Sequence, residues 1–302
     1  MNNAATPPGA WRRLRRNPVA LAALAILATV IAFALFAPAI LGLDPHATSA
    51  AQFTAPHAAH PFGTDVNGRD SFARVIEGAR ISLLVGFCGA FISLFVGTTY
   101  GLVSGYAGGR TDALMMRLVE ILYTIPRLII LILVTFIFDK HFKTWLVAIG
   151  LPGLVGYSKI IILIFSLGLI EWLTMARIVR GQVLALKSQQ FVLAARALGQ
   201  SHVRIILRHL LPNLIGIVII YLTLTIPAVI LDESFLSFLG LGVQAPQASW
   251  GSLLSEGAQV INPVKSYWWL LLFPALVMSM TLLALNFLGD ALRDALDPRA
   301  RR

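Results

Sequence analysis

Charge is scarce in this chain. Only 13% of its 302 residues are charged and 57% are hydrophobic, whereas an ordinary soluble domain is about a quarter charged. A soluble fold of this length needs a charged surface, so the deficit points to lipid as the main solvent. Acid is scarcer than base, with 14 Asp and Glu against 24 Lys and Arg and a formal net charge of +10. Such an excess suits nucleic acid or a membrane surface, and the placement of the bases decides between them. Cysteine is nearly absent. Cys88 stands alone inside an apolar run, which excludes an intrachain disulfide, gives a thiol metal site no support, and leaves a small buried apolar residue as its reading.

The marks of several enzyme classes are missing too. The chain contains no Gly-Lys pair and therefore no G-x-x-x-x-G-K-[ST] phosphate cradle. It has no G-x-S-x-G nucleophile turn and no H-E-x-x-H zinc helix. His57 and His60 lie in Thr54-Ala-Pro-His-Ala-Ala-His-Pro61 with no third ligand at metal spacing, so they read as loop histidines. Neither an internal repeat nor a low-complexity tract is visible.

What the chain does have is apolar length. Six segments stand out, at about residues 18–42, 81–106, 112–138, 158–175, 210–231 and 268–289. Each approaches the roughly 20 residues that cross about 30 Å of hydrocarbon as a helix. The runs are continuous rather than alternating, and only helices or closed barrels satisfy their backbone in lipid, so the expectation is an all-α membrane protein of about six transmembrane helices. The first run follows Trp11-Arg-Arg-Leu-Arg-Arg16 and is longer than a signal-peptide core; it reads as a retained anchor.

The bases cluster. The first 17 residues hold Arg12, Arg13, Arg15 and Arg16 without an acid, and the segment after the fourth run holds Arg177, Arg180, Lys187, Arg196, Arg204 and Arg208. No Asp or Glu occurs from Trp172 through Leu231. The tail mixes Arg293, Arg299, Arg301 and Arg302 with Asp290, Asp294 and Asp297. The opposite segments carry Asp44, Asp65 and Asp70, then Asp232, Glu233 and Glu256. The positive-inside rule therefore places both termini and the 176–210 loop in the cytoplasm, with no nucleic-acid partner required. The stretch 139–158 begins Asp-Lys-His-Phe-Lys and is broken by Gly150, Pro152, Gly153 and Gly156. It reads as an extracytoplasmic loop or an interfacial lid rather than a seventh span. The resulting organisation is 1–75 (tail, first helix and loop), 76–290 (a core of about five helices with the loop 176–210) and 291–302 (a cytoplasmic tail).

Three residues are candidates for a gate or path: Glu120, Pro126 and Pro227. Intramembrane charges such as Arg117 and Glu120 are functional candidates by default, and an interfacial amphipathic turn that snorkels is the alternative. Pro126 and Pro227 are placed to kink their helices. Asp232 and Glu233 fit either an outer vestibule or the solvated start of a loop.

The 176–210 loop carries the most information. It reads as a helix, a stop at Gly199, and a second basic helix that re-enters the membrane. Ala194, Ala195 and Ala197 keep the first helix thin enough for another backbone to approach. The pattern Ala194-Ala195-x-x-x-Gly199, followed by His209-x-Leu211-Pro212, resembles the "EAA" loop of permeases from ABC-type importers. Five further stretches narrow the resemblance to the second, C-type permease of the dipeptide/oligopeptide/nickel branch. They are His60-Pro-Phe-Gly-Thr-Asp-Val-Asn-Gly-Arg-Asp70, Gly78-Ala-Arg-Ile-Ser-Leu-Leu-Val-Gly86, Ser234-Phe-Leu-Ser-Phe-Leu-Gly-Leu-Gly242, Ser249-Trp-Gly251 and Leu288-Gly-Asp-Ala-Leu-Arg-Asp-Ala-Leu-Asp-Pro298.

The resemblance covers nearly the whole chain and implies a type I ABC importer permease-like fold in a bacterial inner membrane. It implies a second homologous permease, two ABC ATPase subunits and an extracytoplasmic substrate-binding protein as partners. ATP would be bound by the partner subunits, and this chain would hold no cofactor and catalyse nothing. The implied ATPase-coupling residues are Leu193, Ala194, Ala195, Arg196, Gly199, Arg204, His209, Leu211 and Pro212. Two departures stand out: Leu193 occupies the place of the usual Glu, and the region between the third and fourth helices is longer than the family pattern. Di- or oligopeptides are the implied cargo, with nickel or another small solute as the alternative. An ion-driven secondary transporter is the rival class, and it leaves the basic loop unexplained.

Overall fold

The computed structural model describes residues 14–261 and 265–296. Arg12, Arg13, Asp297, Arg299, Arg301 and Arg302, which entered the charge reading, lie outside the described residues. The helices are α1 (Pro18–Leu41), α2 (Ser71–Ala107), α3 (Gly109–Thr124), α4 (Arg127–Ala148), α5 (Ser158–Leu186), α6 (Gln190–Ala197), α7 (His202–Ile205), α8 (Leu211–Phe238), α9 (Trp250–Gln259) and α10 (Trp269–Leu296). A 3-10 turn, Pro152–Tyr157, leads into α5, and a π-turn, Ile206–Leu210, joins α7 to α8. Among the described residues no strand forms; two isolated bridges, His57 to His60 and Thr64 to Asp70, tie the loop after α1.

Among the described residues five helical stretches are long and apolar enough to cross a membrane, and a sixth crossing arises if α3 and α4 count as one bent span. This is the all-α membrane architecture expected. α1 shows why such a span starts and stops where it does. Asn17 caps it by accepting from the Val19 and Ala20 N–H groups at 3.0 and 3.2 Å, with Pro18 at the first helical position. Gly42, at φ +59°, ends it in the left-handed conformation.

The chain forms two compact units. One comprises the segments up to Leu84 and from Ile230 onward; the other is Val85–Val229. In the first unit α1 packs along α10, and α9 packs against α10 as well. The loop before α2 is held by an ion network. The Asp65 carboxylate accepts from the Asn67 and Arg69 N–H groups at 2.8 and 2.9 Å, from Arg69 Nε at 2.7 Å and from Arg74 Nη1 at 2.8 Å. Arg74, buried, reaches on to Glu256 of α9. Phe62 stacks on Phe273 of α10 at 4.0 Å and Phe53 on Tyr267 at 4.1 Å.

In the second unit α2 and α5 approach through glycine. A Cβ at Gly97 would lie 2.6 Å from Met175 Cβ, one at Gly101 2.5 Å from the Ala176 carbonyl, and one at Gly105 2.8 Å from Val183 Cβ. These three positions, four apart, share one helix face. They let two backbones close in a medium where association relies on packing rather than on the hydrophobic effect.

Several expectations need correction. The run 112–138 is not one helix: α3 and α4 meet at 86°. Pro126 drives its preceding residue, Ile125, out of the helical region to φ −84°, ψ 127°. The stretch 139–158 is not a loop, because α4 continues to Ala148 and only a short turn precedes α5. Its charges support the helix, Lys143 pairing with Asp139 one turn earlier at 2.7 Å. Asp232 and Glu233 start no solvated loop. They lie inside α8 and are buried. Glu233 accepts from Ser82 at 2.9 Å and from Ser237 at 2.6 Å, a set of local hydroxyls that replaces water around a buried acid.

Candidate coupling site

The loop between α5 and α8 builds its surface from α6 and α7. α6 opens after an extended Gln189, whose carbonyl accepts from the Val192 and Leu193 N–H groups. It closes at Gly199, φ +74°, where the Gly199 N–H donates to the Arg196 carbonyl at 2.9 Å and the Gln200 N–H to the Ala195 carbonyl at 3.1 Å. This pair of bonds satisfies the last carbonyls of the helix. Ser201 then caps α7 by accepting from the Arg204 N–H.

α6 has two unlike faces. Val192 and Ala195 are buried in a cluster with Leu102 of α2, Val179 and Val183 of α5, Leu210 of the π-turn and Leu214 of α8. The small side chain of Ala195 thus serves inward packing. The outer face carries Leu193 (50% exposed), Ala194, Ala197 and Leu198 (80% exposed). Val203 and Leu207, 66% and 58% exposed, continue the apolar surface beyond Gly199. These exposed apolar side chains lie near exposed Arg204 and Arg208 in the sequence, and an apolar patch of this kind meets either a protein partner or lipid.

The polar residues brace this unit. Arg196 lies over the Tyr106 ring at 5.0 Å, and the Tyr106 hydroxyl meets His202 Nδ1 at 2.8 Å. His209 Nε2 bonds Gln200 Oε1 at 2.9 Å, so His209 braces the hinge. Leu211 and Pro212 open α8 directly after the π-turn Ile206–Leu210, where Pro212 has no N–H to donate to the preceding turn. Of the nine sequence candidates, Leu193, Ala194, Arg196, Arg204 and Pro212 are exposed, with Gly199 at the stop, whereas Ala195, His209 and Leu211 turn inward.

The three gate candidates fall in different surroundings. Glu120 is exposed on α3 and lies 4.0 Å from an equally exposed Arg117. This pair is a surface turn worth little energy. Pro227 is buried within the continuous helix α8. Pro126 stands at the α3–α4 corner, on a cavity of about 220 Å³ lined by Leu122, Tyr123, Arg127, Glu171 and Thr174 among others.

Sequence reasoning missed the charged residues that the helices bring together. Arg127 pairs with Glu171 at 3.3 Å across this cavity. Asp112 accepts from Arg180 Nε and Nη2 at 2.5 and 2.7 Å and from Ser104 at 2.5 Å. Glu171, an acid inside an Ile- and Leu-rich run, was the available signal. Among the described residues no group of three His, Cys, Asp or Glu side chains is placed to hold a metal ion.

Residues 97–302 match the family described as binding-protein-dependent transport system inner membrane component. Residues 9–60 match the N-terminal TM domain of oligopeptide transport permease C. The dipeptide transport system permease protein DppC of Bacillus subtilis is 45% identical over 297 residues, covering 97% of this chain and 86% of that protein. The oligopeptide transport system permease proteins OppC of Haemophilus influenzae and Escherichia coli K12 are 46% and 44% identical over 295 residues. They cover 97% of this chain and 88% and 91% of their own lengths.

Proposed function

This chain belongs to the binding-protein-dependent transport system inner membrane components, and from that premise we propose that it is one of two permeases lining the path of an ATP-driven importer of di- or oligopeptides. The second permease is a homologue, two ABC ATPases sit on the cytoplasmic side, and an extracytoplasmic binding protein delivers cargo. The chain itself carries no cofactor; ATP is bound and hydrolysed by the partners. The basic segment from Arg177 to Arg208 supports a cytoplasmic placement of α6 and of both termini.

The carrying observation is the two-faced α6. Its outer residues, Leu193, Ala194, Ala197 and Leu198, offer a groove-filling surface to an ATPase. Its inner residues, Val192 and Ala195, are locked to α2, α5 and α8. Movement of the ATPase surface is therefore delivered to three membrane helices through packed contacts rather than through a flexible loop. Nucleotide shifts the permease between inward- and outward-open states only in so far as it favours one of them, and α6 is the element through which that difference acts. Leu193, where a carboxylate is usual, makes this contact more apolar and less dependent on a salt bridge. The names of the relatives support peptide cargo; nickel or another small solute is the alternative cargo for the same machinery.

The test is to purify the tagged chain from its membrane with its partners and reconstitute the complex with the binding protein. A second permease, P-loop ATPases and ATP-dependent peptide uptake are expected. A chain that purifies alone and moves solute down an ion gradient would overturn the reading.

A further inference from the structure

α3 meets its neighbours through one side. Asp112 accepts from Arg180 of α5 and from Ser104 of α2, and the Tyr100 hydroxyl of α2 donates to the Met115 carbonyl at 2.8 Å. Met116 and Val119 are buried with Trp172, Leu173 and Ala176 of α5, and Tyr123 closes the series on Thr174. From Asp112 to Tyr123 α3 advances about 16 Å at 1.5 Å per residue, while its bonded partner on α5 changes only from Arg180 to Thr174, about 9 Å. α3 therefore slants across one end of α5 instead of running along it, and it turns 86° into α4. That end is the one from which the basic segment Arg177–Arg208 continues.

The opposite side of α3 is exposed and carries two unlike stripes. Leu114, Leu118 and Ile121, spaced four and three apart, share a face and are 75%, 49% and 53% exposed. Beside them Arg110, Arg117 and Glu120 are exposed as well. Arg117 lies 4.0 Å from Glu120, and Arg110 has no ion-pair partner among the described residues. A helix that offers an apolar stripe edged with arginine is suited to the boundary between acyl chains and headgroups. A helix crossing the hydrocarbon would carry Arg117 and Glu120 in with Leu118 and Ile121, at the cost of two charges in lipid.

We infer that α3 lies at the cytoplasmic face of the membrane and binds the leaflet there: Leu114, Leu118 and Ile121 enter the acyl chains, and Arg110 and Arg117 hold the phosphate groups of anionic phospholipids. The inference rests on the orientation proposed above, which puts Arg177–Arg208 in the cytoplasm. Charge complementarity favours lipid as the occupant. Two arginines against one exposed carboxylate leave the edge of the stripe positive, and the cytoplasmic leaflet carries a negative surface potential that attracts such residues. Asp112 grips Arg180, and Val179 and Val183 of the same stretch of α5 cluster with Val192 and Ala195 of α6. Lipid held by α3 therefore steadies the part of α5 on which the coupling helix packs.

The test places a bimane label at Leu114→Cys, Leu118→Cys or Ile121→Cys, in a Cys88→Ser chain within the reconstituted complex. Each label should be quenched by phospholipid carrying a nitroxide, and more strongly when the nitroxide is near the headgroup than when it is near the bilayer centre. Stronger quenching from the centre at Leu118→Cys and Ile121→Cys would make α3 a crossing helix. No quenching from either would mean that protein covers the stripe, and both results overturn the inference. With the headgroup-proximal nitroxide carried on phosphatidylglycerol or on phosphatidylcholine, the label at Leu114→Cys should report a preference for phosphatidylglycerol. Arg110→Gln and Arg117→Gln should each lower that preference by up to about fivefold, and Arg110→Lys should keep most of it. A preference that survives in the double variant would refute the headgroup contact. Orientation is read separately: an impermeant thiol reagent should modify Leu198→Cys in inverted membrane vesicles and not in spheroplasts. The reverse pattern would overturn the proposed orientation, and with it the cytoplasmic side of α3, whatever the quenching shows.

Discussion

Arg180 grips Asp112 with two parallel bonds, Nε to Oδ1 at 2.5 Å and Nη2 to Oδ2 at 2.7 Å, and so pins the start of α3 to α5. Ser104 of α2 adds a third bond to the same carboxylate at 2.5 Å, and Lys187 Nζ donates to the Gly105 carbonyl at 2.8 Å. The lower ends of three helices are therefore joined by one acid. The planar fork of arginine matches a carboxylate in a way lysine does not.

Asp112→Ala should cost about 1–3 kcal/mol, since Arg180 is a third exposed and partly solvated while the acid is mostly buried. Arg180→Lys should cost less than Asp112→Ala but remain measurable, because one of two parallel bonds is lost. Thermal unfolding of the purified, detergent-solubilised complex checks both. Melting temperatures that match wild type would show the fork to be decorative.

The glycine contacts between α2 and α5 make a sharper contrast. Gly101→Leu drives a side chain into a space where even a Cβ would sit 2.5 Å from the Ala176 carbonyl, and should cost about 1–3 kcal/mol or more through overpacking. Gly181, in α5, has nothing within 4 Å of its Cβ position, so Gly181→Ala should be neutral or stabilise by up to about 1 kcal/mol through helix propensity. Expression level and thermal stability of the two variants, compared side by side, test the difference.

How much of this was legible in the sequence follows from what each feature depends on. The spans and the stop at Gly199 are local: hydropathy over 20 residues, a proline-preceded bend and a left-handed glycine all act within a few residues. Gly97, Gly101 and Gly105 stand at a readable spacing, but which helix they meet is set by packing. Pro126 marks a kink in the sequence, and the 86° angle of the break depends on how α4 finds α5. The breaks at Gly150, Pro152, Gly153 and Gly156 suggest a loop for the whole of 139–158, but they act only beyond Ala148, and before them the Asp139–Lys143 pair stabilises a helix. Arg127 with Glu171, and Asp112 with Arg180, join residues 44 and 68 positions apart, and no local pattern encodes such meetings.

Glu233 supplies another expectation. It is fully buried in α8 and accepts from Ser82 and Ser237, while Ser82 also receives the Trp250 N–H at 3.2 Å and Ser237 that of Val243 at 2.9 Å. Glu233→Ala removes the centre of this network, leaves buried hydroxyls without their acceptor, and should cost about 2–4 kcal/mol. Ser82→Ala should cost about 1 kcal/mol. Unfolding measurements that rank the two in the opposite order would contradict the hub role.

Gly199 and Leu198 separate folding from coupling. Gly199→Ala meets open space but must hold φ +74°, a strain of about 1–2 kcal/mol, so it should lower stability modestly and loosen the α6 stop. Leu198→Asp changes a side chain that is 80% exposed and should leave stability unchanged while reducing peptide uptake per ATP hydrolysed. Paired uptake and ATPase assays in proteoliposomes read both, and a Leu198→Asp complex with wild-type coupling would remove this residue from the contact.

The most direct test of the account is cysteine crosslinking between α6 and the ATPase subunits in native membranes, in a Cys88→Ser chain. Leu198→Cys and Ala194→Cys, on the outer face, should crosslink to an ATPase subunit in a nucleotide-dependent manner, while Val192→Cys, on the buried face, should not. Absence of any ATPase adduct from the outer positions, in complexes that still contain the ATPases, would contradict the claim that α6 is where this permease is driven.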